Sequence, residues 1–245
     1  MSECCIRGIQ WDAAPIGSET ELAGKSCYVS GSNSSVAVMI IHDLWGWTFK
    51  NTRLLADHYA KEIGATVYVP DFFSGEILPR DILSDESRWS ELDLPAFDAR
   101  NSKSVRFPEI TECAKALRSK YARTGAVGFC FGGWAVFRLG SKENTLVDCI
   151  STAHPTFLEK DEIGEVAVPV QIIAPEFDPR FTVELREFCN HKIPTLGVPY
   201  TLQYFPGVGH GFAIRGDPDR SLEREGMAKA KAAVVYWMRQ WLHEG

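Results

Sequence analysis

The feature that most constrains this chain is an apolar strand that turns directly into a helix through a glycine-rich bend. It lies in residues 125–137, whose sequence is GAVGFCFGGWAVF. A second apolar run, SVAVMIIHD at 35–43, is rich in β-branched residues and is typical of a strand buried on both faces of a sheet. Such strands occur in parallel sheets that helices cover on both sides, so the two segments predict an α/β fold.

Segments with helical spacing alternate with strand-like runs along the chain. We find no internal repeat and no long linker, so the sequence predicts one domain over residues 1–245. Its architecture should be a mostly parallel central sheet with helices on both faces. Residues 74–107 lack a clear period and are expected to cover a pocket. Further helices are expected at 52–64, 108–121, 132 onward, 181–192 and 221–244, and further strands at 65–73, 126–129, 146–154, 168–178 and 199–207.

Composition and charge argue against several classes of function. Hydrophobic residues make up 45% of the chain and charged residues 24%, and the net charge of −6 argues against a nucleic-acid partner. We see no secretory signal and no run long enough to span a bilayer, so we expect a cytoplasmic protein without a membrane partner. Seven cysteines, an odd number, favour reduced thiols over disulfides. Cys4 and Cys5 have no second cysteine pair downstream, so their spacing predicts no metal site.

The glycine-rich bend contains the pattern G-x-C-x-G, followed by one more glycine. Small residues at these positions let a nucleophile occupy a strained turn between a strand and a helix. The start of the helix also directs backbone N–H groups toward a thiolate or an oxyanion. Cys130 is therefore the candidate nucleophile, and the alternative is a buried cysteine that only fills space.

Two further candidates follow Cys130 in the order acid, then histidine. Asp178 ends the apolar run VQIIAPEFD, where it could instead cap the next helix, and His210 stands between glycines in GVGHGF. Nucleophile, acid and histidine occur in this order in α/β-hydrolases. In such a triad the imidazole accepts the thiol proton, and the carboxylate orients the imidazole. The sequence therefore predicts a triad of Cys130, Asp178 and His210.

These motifs resemble those of the dienelactone hydrolase family, from about Lys25 to the final helix. The resemblance is carried by GFCFGG, APEFDP and GVGHGFAIRGDP, and the segments HGFAIRG and MIIHDLWGW are most similar to the eukaryotic, fungal-type branch. It implies an α/β-hydrolase fold and the hydrolysis of an enol lactone, 4-carboxymethylenebut-2-en-4-olide, to maleylacetate. It also implies that Cys130, Asp178 and His210 act as the triad, that no cofactor is used, and that the protein is a monomer or a weak homodimer.

The same resemblance implies roles for residues around the triad. The backbone amides of Leu44 and Phe131 would hold the oxyanion. Asp43 stands where bacterial members have a glutamate that contacts the resting thiol, or else it shapes its own loop. Arg215 would bind a substrate carboxylate, or else it pairs with Asp217. The remaining substrate-binding candidates are Trp45, Trp89 and Arg88.

A thiol nucleophile restricts the substrate. A thiolate leaves more readily than a simple alkoxide, so attack by Cys130 on an ordinary alkyl ester tends to reverse. Enol lactones, aryl esters and thioesters release more stable anions, and the thiol therefore predicts an activated acyl substrate. Alternatives are another activated ester or thioester in a biosynthetic or detoxification pathway, or a redox sensor in which Cys130 is oxidised. His154 is expected to be a core histidine with its hydrogen bonds satisfied, and the alternative is a residue that lines or supports the pocket.

Overall fold

The structure, a computed structural model, describes residues 1–83 and 85–244. Its strands are β1 (Ser18–Leu22), β2 (Lys25–Ser30), β3 (Val36–Ile41), β4 (Thr66–Pro70), β5 (Arg123–Phe129), β6 (Cys149–Ala153), β7 (Val170–Phe177) and β8 (Tyr200–Gly209). They form one sheet in the order β1-β2-β4-β3-β5-β6-β7-β8. The β1–β2 and β2–β4 pairs are antiparallel, and the pairs from β4 through β3 to β8 are parallel, which confirms the predicted mostly parallel sheet.

Helices connect the strands and cover the sheet. They are α1 (Glu3–Ile6), α2 (Lys50–Tyr59), α3 (Arg80–Leu83), α4 (Leu94–Arg100), α5 (Lys103–Lys120), α6 (Gly132–Leu139), α7 (Lys160–Gly164), α8 (Val183–Lys192), α9 (Phe212–Arg215) and α10 (Ser221–His243). A π-helical turn, Ala60–Gly64, extends α2, and 3₁₀ helices cover Glu86–Glu91 and Ile193–Leu196. Within the described residues, no helix is both long and apolar enough to cross a bilayer.

Two regions differ clearly from the predictions. Helix α5 begins at Lys103 rather than at residue 108, so Pro108 lies inside the helix instead of in its first turn. Proline there removes one backbone hydrogen bond, but buried residues of α5 such as Ile110 and Leu117 hold the helix against the sheet. Residues 74–107, predicted without periodicity, contain α3, α4 and a 3₁₀ helix, because elements this short show too few turns for a period to be visible.

The core has two parts, one on each face of the sheet. In β3, Ala37, Met39 and Ile41 belong to one hydrophobic cluster, whereas Val36, Val38 and Ile40 belong to the other. Side chains of α5 and α6 pack in the first cluster, and side chains of α2 and α10 pack in the second. Alternate residues of a strand point to opposite faces, so every β3 side chain is buried and the run is continuously apolar.

The bend after β5 depends on glycine at positions where chain segments nearly touch. A Cβ on Gly132 would lie 2.1 Å from the carbonyl oxygen of Ile41 in β3, and one on Gly128 would lie 2.3 Å from the carbonyl oxygen of Gly132. Between these glycines Cys130 has a φ of 48°, a left-handed conformation that is uncommon for a residue with a side chain. The strand, the bend and the helix therefore fit together only with glycine at both positions.

The parallel strands direct the predicted site residues to one edge of the sheet. Asp43 follows β3, Cys130 follows β5, Asp178 follows β7 and His210 follows β8. Carboxyl ends of parallel strands meet at the same edge, where ligands bind in open α/β sheets.

We predict that Gly132→Ala lowers the free energy of unfolding by about 3 kcal/mol, since the new methyl group overlaps the β3 backbone. Urea unfolding followed by circular dichroism measures the change. The control is Gly164→Ala at the end of α7, where the added Cβ meets only Lys192 at 3.4 Å. Equal stability of Gly132→Ala and wild type would contradict the close packing of the bend.

Candidate active site

Asp178 and His210 form a hydrogen-bonded pair at the carboxyl edge of the sheet. His210 Nδ1 lies 2.9 Å from Asp178 Oδ1. The same oxygen accepts hydrogen bonds from the backbone amides of Arg180, at 2.8 Å, and Phe181, at 3.0 Å. The carboxylate therefore shapes its own turn and also fixes the imidazole, so that Nδ1 carries the proton. Nε2 of His210 then faces the site with a lone pair.

The His210 side chain is buried, yet one of its ring nitrogens lacks a hydrogen-bond partner among the described residues. Its side chain is 1% exposed, and Nε2 has no hydrogen-bond partner among the described residues. Burial alone lowers the pKa of His210, but the hydrogen bond to Asp178 and the neighbouring Cys5 side chain outweigh burial and raise the pKa above its ordinary value. A partnerless buried nitrogen beside a fixed carboxylate is an arrangement suited to proton transfer or to ligation.

The Cys130 thiol is fully buried and bonds to Thr156. Its Sγ lies 3.2 Å from Thr156 Oγ1, and the Thr156 amide donates to the Cys130 carbonyl oxygen at 2.8 Å. Burial, followed by a side-chain interaction with Cys5, raises the pKa of Cys130 well above its ordinary value. Among the described residues we find no hydrogen bond between Cys130 and His210. The thiol is therefore protonated and lies against Thr156.

A second thiol, that of Cys5, lies beside the first. Cys5 Sγ is 3.8 Å from Thr156 Oγ1 and 4.0 Å from Cys4 Sγ. The neighbouring thiols of Cys130 and Cys4, together with His210, lower the pKa of Cys5. Sequence reasoning missed both Cys5 and Thr156, because neither stands in a motif and each reaches the site only through the tertiary fold.

Asp43 and Arg215 form a buried ion pair, and Asp43 also shapes its own loop, which is one of the two alternatives predicted for it. Arg215 Nε lies 3.2 Å from Asp43 Oδ2, both side chains are 0% exposed, and Oδ1 of Asp43 accepts from the Trp45 amide at 2.9 Å. Asp43 therefore forms no hydrogen bond to Cys130 among the described residues, and the alternative pairing of Arg215 with Asp217 is wrong. Burial raises the pKa of Asp43, and the Arg215 guanidinium opposes that shift.

Arg215 also anchors the segment formed by residues 1–11. Its Nη1 donates to the carbonyl oxygen of Cys5, and its own carbonyl accepts from the Ile9 amide at 2.9 Å. A Cβ on Gly8 would lie 2.4 Å from Arg215 Cβ, so the segment passes in direct contact with the arginine. Trp45 Nε1 adds a hydrogen bond to the carbonyl oxygen of Ile6 at 2.9 Å. Segment 1–11 is thereby held across the site.

The two amides expected to hold an oxyanion are available as donors. Neither the Leu44 nor the Phe131 amide donates a hydrogen bond to any other described residue. Phe131 immediately precedes α6, so its amide lies at the positive end of that helix. Both residues are buried, and their role in binding an oxyanion remains a prediction.

A cavity of about 480 Å³ adjoins His210. Its lining includes Trp89 and Arg215, two of the predicted substrate-binding residues, and also Arg7 and Ile9 of segment 1–11. The other two lie elsewhere. Trp45 is packed against Phe49 with ring centroids 4.6 Å apart, and Arg88 pairs with Asp81 and Glu91 at the surface.

His154 differs from the expected satisfied core histidine. It is fully buried, and neither ring nitrogen has a hydrogen-bond partner among the described residues. Its ring centroid lies 4.9 Å from that of His210, and burial lowers its pKa well below the ordinary value. His154 therefore contributes a neutral aromatic wall behind His210.

Comparisons of the sequence identify similar proteins over nearly the whole chain. The sequence model of the dienelactone hydrolase family matches residues 26–242. Hydrolase tropI of Talaromyces stipitatus is 30% identical over 250 residues, which cover 98% of this chain and 96% of that protein. The carboxymethylenebutenolidase homolog of Homo sapiens is 29% identical over 256 residues, covering 97% of this chain and 96% of that protein.

Solved structures share the fold at low sequence identity. A dienelactone hydrolase from Anabaena variabilis has a TM-score of 0.65 at 12% identity, and the match covers 94% of this chain and 98% of that chain. An esterase from Pyrobaculum calidifontis has a TM-score of 0.62 at 14% identity, covering 94% of this chain and 87% of that chain. With the sheet order described above, these similarities confirm the predicted α/β-hydrolase fold.

We predict that Arg215→Met lowers the free energy of unfolding by about 3–5 kcal/mol at neutral pH, because it leaves the Asp43 carboxylate buried without a cation. Burial already places the pKa of Asp43 above its unfolded value. Stability of the variant is therefore greatest at low pH and is lost as the pH rises through the folded-state pKa. Urea unfolding at several pH values from mildly acidic to neutral measures both effects.

The double variant Asp43→Asn/Arg215→Met should recover most of the loss, because it removes the isolated charge. Arg88→Met is the matched control, since its pairs with Asp81 and Glu91 lie at the surface and contribute little. A pH-independent loss in Arg215→Met, with no recovery in the double variant, would show that packing rather than charge explains the effect.

We also predict that Asp178→Asn lowers the pKa of His210, because the substitution removes the carboxylate that stabilises the imidazolium. Heteronuclear NMR of the imidazole nitrogens as a function of pH measures this pKa. Glu187→Gln, an exposed carboxylate on α8, serves as the control and should not change it. An unchanged titration in Asp178→Asn would contradict the electrostatic role of the pair.

Proposed function

The chain belongs to the dienelactone hydrolase family and is a hydrolase, and we propose that it opens activated esters and enol lactones through a thioester on Cys130. The observation that carries this proposal is the hydrogen bond of 2.9 Å between Asp178 and His210, with Nε2 of His210 left unpartnered at the edge of the sheet where the Cys130 bend also lies. This arrangement supports a general base that serves a nucleophile at the same edge.

In the proposed first step, the Cys130 side chain turns from Thr156 toward His210. Nε2 of His210 takes the thiol proton while Sγ forms a bond to the acyl carbon, and the carbonyl electron pair moves to the oxygen. Amides of Leu44 and Phe131 donate hydrogen bonds to that oxyanion. The oxyanion then collapses, the bond to the leaving oxygen breaks, and His210 returns its proton to the enolate or aryloxide.

In the second step, water hydrolyses the thioester. His210 accepts a proton from water as the water oxygen bonds to the acyl carbon, and the carbon–sulfur bond then breaks. The acid product leaves and the thiol regains its proton. Asp178 keeps the imidazole in one orientation and stabilises its charge in both steps. The resting thiol is neutral because burial raises its pKa, which protects it from oxidation between turnovers.

The proposed substrate is a small acyl compound with a stable leaving anion, of the dienelactone type. The cavity beside His210 has a volume of about 480 Å³, enough for such a molecule. The lining carries three arginines, Arg7, Arg215 and Arg220, and each is paired with a carboxylate, so a carboxylated lactone would compete with Glu86, Asp43 and Glu223 for them. Arg215 is already paired with Asp43, so its role as a substrate clamp remains a prediction.

A hydrolysis panel tests this function. We expect turnover of aryl esters, acyl thioesters and cis- or trans-dienelactone, much slower turnover of alkyl esters, and an acyl adduct on Cys130 detectable by intact-mass spectrometry. Cys130→Ala should lose the adduct and the turnover, whereas Cys149→Ala, which removes a buried thiol that packs on Met238, should keep both. Hydrolysis that persists in Cys130→Ala would rule out the thioester route.

A second candidate function, a thiol-based redox sensor, is favoured by the second thiol beside Cys130. A hydroperoxide would oxidise Cys130 to a sulfenic acid and be reduced to an alcohol or water. Cys5 would then displace water to form a disulfide. Peroxide-dependent Cys5–Cys130 disulfide formation without any acyl adduct in the panel would favour the sensor over the hydrolase.

A further inference from the structure

Three soft ligand groups converge where segment 1–11 crosses the site. The sulfurs of Cys4 and Cys5 and a ring nitrogen of His210 all lie within 4.8 Å of one another. Cys4 is partly buried, Cys5 is fully buried and the His210 side chain is 1% exposed. The proposed hydrolysis assigns no role to Cys4 or to Cys5. The cluster therefore needs an explanation of its own.

The spacing of the two sulfurs matches a zinc site, and the His210 nitrogen lies within 4.8 Å of both. Zn–S bonds of about 2.3 Å in a tetrahedron place two sulfurs about 3.8 Å apart. Cys4 Sγ and Cys5 Sγ lie 4.0 Å apart. Thiolate and imidazole are the ligands that select Zn²⁺ over Mg²⁺ or Ca²⁺. The donor set is thus chemically suited to a thiophilic divalent cation.

His210 is also oriented as a zinc ligand would be. Its Nε2 is buried and has no hydrogen-bond partner among the described residues, so its lone pair is free. Its Nδ1 is bonded to Asp178 at 2.9 Å. Zinc-bound histidines almost always donate their other ring N–H to a carboxylate or a carbonyl, which fixes the tautomer and increases basicity. The pair that suits a catalytic base suits a metal ligand equally well.

We propose that Cys4, Cys5 and His210 form an inhibitory binding site for Zn²⁺. On binding, Cys4 and Cys5 lose their protons to solvent, and two Zn–S bonds and one Zn–N bond form. The fourth position is taken by water, or by Cys130 once its thiol has lost its proton to solvent as well. The metal blocks the lone pair that the proposed hydrolysis requires. It also ties segment 1–11 to the loop after β8, so the segment stays across the site while the enzyme is inactive.

Metal binding can be tested without any substrate. Reduced wild-type protein is titrated with Co²⁺, which gives thiolate-to-cobalt charge-transfer absorption, and the cobalt is then displaced by Zn²⁺ against a chromophoric chelator. We expect one equivalent of metal, and Zn²⁺ affinity at least about tenfold weaker in Cys4→Ala and in Cys5→Ser. The matched control, Cys149→Ala, should bind as wild type does, since Cys149 packs in the other hydrophobic cluster.

Cadmium NMR of the wild-type protein gives a measurement that does not depend on any variant folding. The shift should indicate two or three thiolate ligands, according to whether Cys130 joins. Absence of stoichiometric metal binding, a cadmium shift without thiolates, or unchanged charge-transfer absorption in the Cys4→Ala/Cys5→Ser double variant would overturn the proposal.

The inhibitory role rests on the proposed hydrolase function and is tested separately. Zn²⁺ should inhibit aryl ester hydrolysis by wild type and by Cys149→Ala, and a chelator should restore it. Cys4→Ala should keep its basal rate and need at least about tenfold more Zn²⁺ for the same inhibition. Equal sensitivity of Cys4→Ala would overturn inhibition at this site. If metal-free wild type hydrolyses no ester, the proposed function fails, whereas the cobalt and cadmium measurements still decide the metal site.

Discussion

The buried ion pair between Asp43 and Arg215 joins parts of the chain that are otherwise unconnected. Asp43 follows β3, Arg215 ends the short helix after β8, and the same guanidinium donates to the carbonyl of Cys5. Each charge alone would be expensive in this interior, so the three segments are stable there only together. The loop with the Leu44 amide, the loop with His210 and segment 1–11 therefore take their positions from one interaction.

After the ion pair, the bend at Cys130 is the second feature that fixes the geometry of the site. Glycines on both sides let β5, α6 and β3 approach more closely than any larger side chain permits, and the left-handed φ of 48° at Cys130 is maintained by that packing. Backbone geometry thus presents the side chain at the start of α6, near the free amide of Phe131. Thr156 and Cys5 surround the Cys130 sulfur and fix its position, whereas the bend fixes the backbone from which the side chain extends.

Short sequence patterns predicted the features that depend on neighbouring residues in the chain. The alternating burial of β3, the glycine bend and the order of Cys130, Asp178 and His210 are all visible in short stretches, and the sheet brings their ends to one edge. Partners set by long-range packing were missed: Thr156 beside Cys130, Arg215 with Asp43, and Cys5 beside His210. The sequence around Cys4 and Cys5 predicted no metal site. His210, the histidine that lies beside them in the fold, is about two hundred residues away in the chain.

Because segment 1–11 covers Cys130, the access of a substrate to the thiol depends on how many molecules have this segment displaced. A thiol with 0% exposure is reached only in the fraction of molecules whose covering segment has moved aside. The apparent dissociation constant of any substrate is the intrinsic constant divided by that fraction. Firm anchoring therefore weakens apparent affinity and shields the sulfur from oxidants, whereas loose anchoring does the reverse. The hydrogen bonds of Arg215 and Trp45 to segment 1–11 set this balance without contacting any reacting atom.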